Sequence, residues 1–259
     1  MGQDILSLLS GTMVGAVLGL IGGGGSILAV PLLVYVVGVA SPHVAIGTSA
    51  VAVAVSAFSS LLGHARMGNV RWPCAAVFTA CGVAGAYLGS LLGKAVDGQR
   101  LLLMFGLLMI VVAVTMFRRQ PTPEAAFVRL TRESAPTVAP RLAGFGLATG
   151  SLAGFFGIGG GFLVVPGLVA ATDMPILAAI GSSLVSVSAF GFTTAASYAS
   201  SGLIDWRIVA LFVTGGIAGS LVGSRLAARL ATRKAALTQV FAGIVATAGL
   251  YVVWRGIFG

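Results

Sequence analysis

The chain has 259 residues and a formal net charge of +9, and it is 58% hydrophobic but only 8% charged. Soluble domains carry about a quarter charged residues, so these proportions exclude a soluble fold and indicate an integral membrane protein. The excess of Lys and Arg then marks cytoplasmic loops and not a nucleic-acid partner, and the 38 glycines lie within apolar runs, where small residues let membrane helices approach closely.

The opening Met1-Gly2-Gln3-Asp4 lacks the basic stretch of a cleavable signal, so the first apolar segment is expected to stay in the mature protein. That segment, 5–38, is too long for one crossing and is interrupted by Gly22-Gly23-Gly24-Gly25. Its pieces 5–20 and 26–38 would measure about 24 Å and 20 Å as helices, short of a ~30 Å hydrocarbon core. A broken helix or hairpin meeting at membrane depth is expected. Segments 44–63, 73–93 and 101–117 are each long enough to span. The polar stretch 118–141 contains Pro121, Pro123, Pro136 and Pro140 and reads as a cytoplasmic loop. A second overlong stretch, 142–171, is broken by Gly157-Ile158-Gly159-Gly160-Gly161, and 176–199, 207–224 and 236–254 complete the spans. Two membrane units, 1–117 and 142–259, thus flank the loop.

The two units match. Gly19 to Pro31 aligns with Gly154 to Pro166 at an offset of 135, and Gly47 to Ser90 aligns with Gly181 to Ser224 at 134. Identities include Gly68/Gly202, Trp72/Trp206, Gly82/Gly216, Gly85/Gly219 and Gly89/Gly223. If each broken stretch returns to the side it entered from, each unit makes three full crossings, so the repeats are inverted. Eleven basic residues, from Arg66 and Arg71 through the loop to Arg225, Arg229, Arg233 and Lys234, then fall on one side. Only Lys94, Arg100, Arg207 and Arg255 fall on the other. Positive charge accumulates on the cytoplasmic side, which places both termini outside. The fold expected is all-α and polytopic, in a bacterial cytoplasmic membrane.

A helix break at membrane depth is tolerated only where it is buried in protein or lines a watery cavity. A helix restarting there points unpaired N–H groups and the positive end of its dipole at that cavity. Two such ends would hold an anion without a basic side chain, and duplicated broken helices are the usual site of secondary transporters. The candidate donors are therefore Gly22, Gly23, Gly24, Gly25 and Ser26, with Gly157, Gly159, Gly160 and Gly161.

The runs 19–31 and 154–166, with Gly47-Thr48-Ser49, Gly181-Ser182-Ser183, Gly68…Trp72 and Gly202…Trp206, resemble the repeat signature of the TauE/SafE family of sulfite exporters. The resemblance covers nearly all of the chain outside the central loop. It implies a permease for sulfite, organosulfonates or related small anions. Ser26 stands where the second repeat has Gly161, so the two half-sites differ. Thr48, Ser49, Ser182 and Ser183 could add hydroxyl donors, although such groups also bond their own helix carbonyls. His64, Arg66 and Asn69 are lesser candidates, because at a helix end the ordinary reading is a solvated histidine and a cytoplasmic arginine. Cys74 and Cys81 form no disulfide framework and read as small buried hydrophobes.

All six acids, Asp4, Asp97, Glu124, Glu133, Asp173 and Asp205, fall at segment ends or in loops. A carboxylate proton relay of the kind found inside membranes is therefore not expected. No metal-spaced histidines, cofactor motif or nucleophile setting is evident. The expected partners are the lipid bilayer and a small anion, with no nucleic acid; a homo-oligomer is left open, as are a channel mechanism and an intramembrane enzyme. Outward movement of one negative charge gains ~2.3 kcal/mol per 100 mV, which favours export. Replacing Gly24 or Gly159 with Val is expected to abolish anion flux while leaving membrane insertion intact. Unchanged flux, measured in proteoliposomes alongside insertion, removes that break from the site.

Overall fold

A computed structural model describes residues 2–21, 23–118, 134–158, 161–229 and 234–258, and these are helical apart from short connections. The first half begins with α1 (Gly2–Ile21). Beyond Gly22 it continues as a 3-10 helix (Gly23–Leu28), the single turn α2 (Ala29–Pro31) and a π-helical turn (Leu32–Val36). Three long helices follow, α3 (Pro42–Arg66), α4 (Trp72–Ala95) and α5 (Gly98–Arg118). The second half comprises α6 (Ala135–Phe156), the short α7 (Gly161–Thr172), α8 (Ile176–Ala199), α9 (Trp206–Arg229) and α10 (Lys234–Phe258).

Each of the six expected spans is a helix, and α1, α3, α4, α5, α8 and α9 are long and apolar enough to cross a membrane. The protein is a multi-pass membrane protein. Two boundaries depart from expectation. Helix α1 has 20 residues, about 30 Å, so it makes a full crossing before the glycine break and not a partial one. Helix α6 starts at Ala135, inside the stretch expected to be loop. Pro136 falls in its first turn, where the missing N–H has no helical acceptor to lose; Pro140 is accommodated one turn further on.

Helices in lipid gain no hydrophobic energy by associating, so close packing must hold them together. Along α1, a Cβ added to Gly11, Gly15 or Gly19 would strike the backbone of Phe212, Gly216 or Ser220 on α9. Along α6, Gly146, Gly150 and Gly154 meet Phe78, Gly82 and Ala86 on α4 in the same way. The facing glycines reciprocate: Gly215, Gly219 and Gly223 meet Leu8, Thr12 and Ala16, while Gly85, Gly89 and Gly93 meet Leu147, Ser151 and Phe155. The nearest atoms are carbonyl oxygens, the arrangement that favours Cα–H···O contacts between helices. Both pairs run parallel, and nearly every contact in one recurs in the other at the offset that aligns the two halves.

Two further pairs run oppositely. Helix α3 lies antiparallel to α8, with Gly47 against Leu203 and Tyr198, Gly191 against Ala54, and Gly181 against Asn69. Helix α5 lies antiparallel to α10, with Gly106 against Val252 and Val253 and Gly256 against Leu103. Equivalent helices of the two halves therefore point in opposite directions. The pair α3 and α8 forms the centre: 72% of each is buried, against 39–44% for α1, α4, α5 and α9.

The polar ends sort accordingly. Asp4 pairs with Arg207 at 2.9 Å, Gly98 abuts Pro42, and Lys94 reaches Ser197 and Ser201. The starts of α1, α3, α5 and α9 thus share one face with the ends of α4 and α8. Lys94, Arg100 and Arg207 all lie there. Trp72 and Trp206 are exposed at helix starts on opposite faces, as residues of two interfacial belts are.

A methyl group at Gly150 must push α6 away from the Gly82 backbone, whereas one at Gly144 on the same helix meets nothing within 4 Å. Gly150→Ala is expected to cost about 1–3 kcal/mol from overpacking, and Gly144→Ala to be neutral or stabilising by up to about 1 kcal/mol. Thermal unfolding of the purified variants in detergent reads the difference.

Candidate functional site

The candidate residues gather around α3 and α8, which carry most of the buried polar side chains among the described residues. Ser41 accepts from the Val44 N–H at 3.5 Å and starts α3. Turns at Gly68 (φ +70°) and Gly202 (φ +68°) end α3 and α8; each left-handed glycine lets the chain fold back onto the last helical carbonyls. Asn69 N–H then bonds the His64 carbonyl and Leu203 N–H bonds the Tyr198 carbonyl, both at 3.1 Å.

These turns are tied to the opposite half. The Thr48 hydroxyl accepts from the Asp205 N–H at 3.0 Å, and the Ser182 hydroxyl accepts from the Arg71 N–H at 2.8 Å. Asp205 and Arg71 stand just before α9 and α4, so each hydroxyl satisfies one of the orphan donors at a helix start. Gly47 and Gly181, one residue earlier, let the same turns approach. The Thr48 and Ser182 oxygens are thereby occupied as acceptors, and each O–H proton remains to be donated. Ser49 and Ser183 instead donate to the Ile46 and Ile180 carbonyls of their own helices, at 2.9 Å and 2.8 Å. In this conformation their protons are used, and only their lone pairs are left for another partner.

The hydroxyls do not converge on one point. Thr48 and Ser49 lie near the start of α3, whereas Ser182, bonded to Arg71, lies beyond its end. The breaks divide in the same way. Gly19 packs on Ser220 and Ser220 Oγ lies 3.4 Å from Ser59, so the chain leaves α1 beside the last turns of α3. Gly25 turns back onto Val14 and Leu18, and Ser26 is fully buried. Gly157 (φ +66°) closes α6 and faces Ile46, beside the first turns of α3. From Ile46 to Ser59 is roughly 20 Å of helix. Helices α1 and α6, held against α9 and α4 along their length, therefore end toward opposite faces. What meets in between is the 3-10 segment Gly23–Leu28 and α7. Gly161 is buried at the start of α7. Gly23 and Gly24 belong to the 3-10 helix, while Gly22, Gly159 and Gly160 lie outside the described residues.

His64 is 1% exposed, which overturns its expected solvation; it sits at the end of the central helix and not on the surface. Arg66 is exposed and Asn69 half-buried. The acids serve as helix caps: Asp97 accepts from the Gln99 and Arg100 N–H groups, and Asp205 from those of Arg207 and Ile208. Cys74 is buried and Cys81 half-exposed, and neither forms a disulfide. Among the described residues no three His, Cys, Asp or Glu side chains come together. Sequence reasoning missed Ser60 and Thr194, buried hydroxyls without hydrogen-bond partners among the described residues. They occupy equivalent positions in the two repeats, the signal by which they could have been found.

A buried bundle with broken helices on both sides of a polar, antiparallel core defines a membrane transporter. The chain matches the family described as "Sulfite exporter TauE/SafE" over residues 7–252, and it belongs to that family. It is 49% identical over 252 residues to a probable membrane transporter protein of Xylella fastidiosa (strain Temecula1), covering 97% of this chain and 95% of the relative. It is 26% identical over 271 residues to the probable membrane transporter protein YunE of Bacillus subtilis, covering 98% and 97%. Against the probable membrane transporter protein MJ0441 of Methanocaldococcus jannaschii the identity is 28% over 187 residues, covering 69% and 66%. No solved structure matches the chain.

Ser182→Ala removes the acceptor of the Arg71 N–H and is expected to destabilise the protein by about 1 kcal/mol. Faster hydrogen exchange at the Arg71 amide, with the Asp205 amide unchanged, is the signature sought.

Proposed function

We propose that the protein carries a small sulfur oxyanion, such as sulfite or an organosulfonate, out of the cell by alternating access of two inverted repeats. The observation that carries this reading is the antiparallel central pair, α3 and α8, with the end of one broken helix and a pair of hydroxyls toward each face. Gly157, at the end of α6, faces Ile46 two residues before Thr48, while α1 ends beside Ser220 and Ser59, toward the face where α8 begins, with Ser182 and Ser183. Each half-site thus combines a break from one half with hydroxyls from the other. Motion of one half against the other would open one half-site while closing its counterpart.

Recognition without a buried carboxylate suits an anion. Backbone N–H groups at the start of α7 and the hydroxyl protons of Thr48 and Ser182 are donors, and the dipole end adds partial positive charge. The family description supports the sulfur oxyanion. The interior-negative potential favours the outward direction by ~2.3 kcal/mol per charge per 100 mV.

Flux through proteoliposomes under an imposed potential tests the proposal, with sulfite, sulfate, thiosulfate and a small sulfonate compared. Saturable flux of sulfite or the sulfonate, driven by the potential and accelerated by counter-anion on the far side, is the expected result. Flux that never saturates makes the protein a channel. No flux of any of these anions from folded protein overturns the assignment.

A further inference from the structure

The face bearing Lys94, Arg100 and Arg207 holds a polar cluster that the half-sites do not use. Tyr198, on the last turn of α8, is fully buried, and its hydroxyl has no hydrogen-bond partner among the described residues. The ammonium of Lys94, from the end of α4, sits 5.8 Å from the centre of the Tyr198 ring. It donates to the Ser197 carbonyl at 2.9 Å and to the Ser201 hydroxyl at 3.0 Å. No carboxylate reaches it among the described residues. From the start of α3, the His43 ring lies 6.5 Å from that of Tyr198, and its Nδ1 is buried without a partner. The Ser197 and Thr194 hydroxyls, on residues 5% and 0% exposed, also lack partners.

Lys94 alone is ordinary, because a lysine often satisfies the last carbonyls of a helix. The surrounding groups are not explained that way. Leaving a buried polar atom unpaired is costly, and three such atoms, on Tyr198, Ser197 and His43, belong to residues grouped with a cation that still has an N–H to give. An ammonium, a phenol and small hydroxyls together suit a compact oxyanion, whose several oxygens accept from several donors at once.

We propose that Lys94, Tyr198, Ser197 and His43 form a further anion-binding station at this face, adjoining Gly47 and Thr48, where the transported oxyanion is held on its way across. The station rests on the transport reading above and adds to it an asymmetry. At the positions equivalent to Lys94, Tyr198 and His43 in the other repeat the sequence has Ala228, His64 and Leu177, so the equivalent position carries no cation. Anion is bound more tightly from the Lys94 face than from the other.

The test uses the whole protein in proteoliposomes of defined orientation, with radiolabelled sulfite added to one face at a time. Lys94→Met and Tyr198→Phe are each expected to raise the half-saturating sulfite concentration about tenfold from the Lys94 face and less than twofold from the other. Lys94→Arg keeps the charge and should restore most of the affinity. Arg100→Met, which removes an exposed charge on the same face, should change neither value. Tyr198→Phe preserves the ring and its packing, so it carries the test if Lys94→Met does not reach the membrane. Unaltered half-saturation in folded Tyr198→Phe, or equal shifts from both faces, overturns the station while leaving transport standing. Absence of sulfite flux in the unmodified protein is a different failure, and overturns the transport reading and the station together.

Discussion

Contact between glycine and the carbonyl oxygens of a facing helix is the constraint from which the rest of the structure follows. Inside a bilayer, apolar side chains are as well solvated by lipid as by each other, and helices associate through close van der Waals contact and weak polar contacts. The stripes Gly11-Gly15-Gly19 and Gly146-Gly150-Gly154 recur at every fourth position, so they form one face of a helix. They bring α1 onto α9 and α6 onto α4 until backbone meets backbone. Both pairs join one half of the chain to the other. The halves are interlocked and do not merely adjoin.

That interlock positions the functional elements. Because α1 and α6 are held along their length, they end near opposite faces, and the chain must return through the protein to begin α3 and α8. Helices α9 and α4, with α7 and the segment after α1, cover the central pair and leave it largely shielded from lipid. Polar groups can then be kept at depth. Most of the hydroxyls on α3 and α8 are satisfied locally or across the halves, as with Ser49, Ser183 and the Thr79–Ser186 contact at 2.7 Å. A few are not. Those exceptions, Ser60, Thr194, Ser197 and Tyr198, mark where the interior has donors to spare, which is what a path for anions requires.

Thr48 and Ser182 illustrate how one residue serves both packing and recognition. They are equivalent positions of the two repeats, and each accepts a backbone N–H at the start of a helix from the opposite half. A movement of one half relative to the other must disturb these two bonds together. These two hydroxyls therefore report the relation between the halves.

The sequence by itself determined the class of protein and five of the long apolar helices, α3, α4, α5, α8 and α9. Composition and apolar run length depend only on which residues are present, and the bilayer reads them locally. It also located the glycine breaks, because four successive glycines cannot continue a stable helix within an otherwise apolar run. Only the tertiary structure decided which ends of the broken helices lie near which hydroxyls. The sequence grouped Thr48, Ser49, Ser182 and Ser183 with both breaks, whereas the antiparallel central pair sets Ile46, two residues before Thr48, against Gly157 of the other half. The burial of His64 and Tyr198 was likewise invisible, since a helix end looks solvent-exposed until neighbouring helices are known to enclose it. Helix-to-helix register is a property of surfaces meeting, and no local pattern along the chain specifies it.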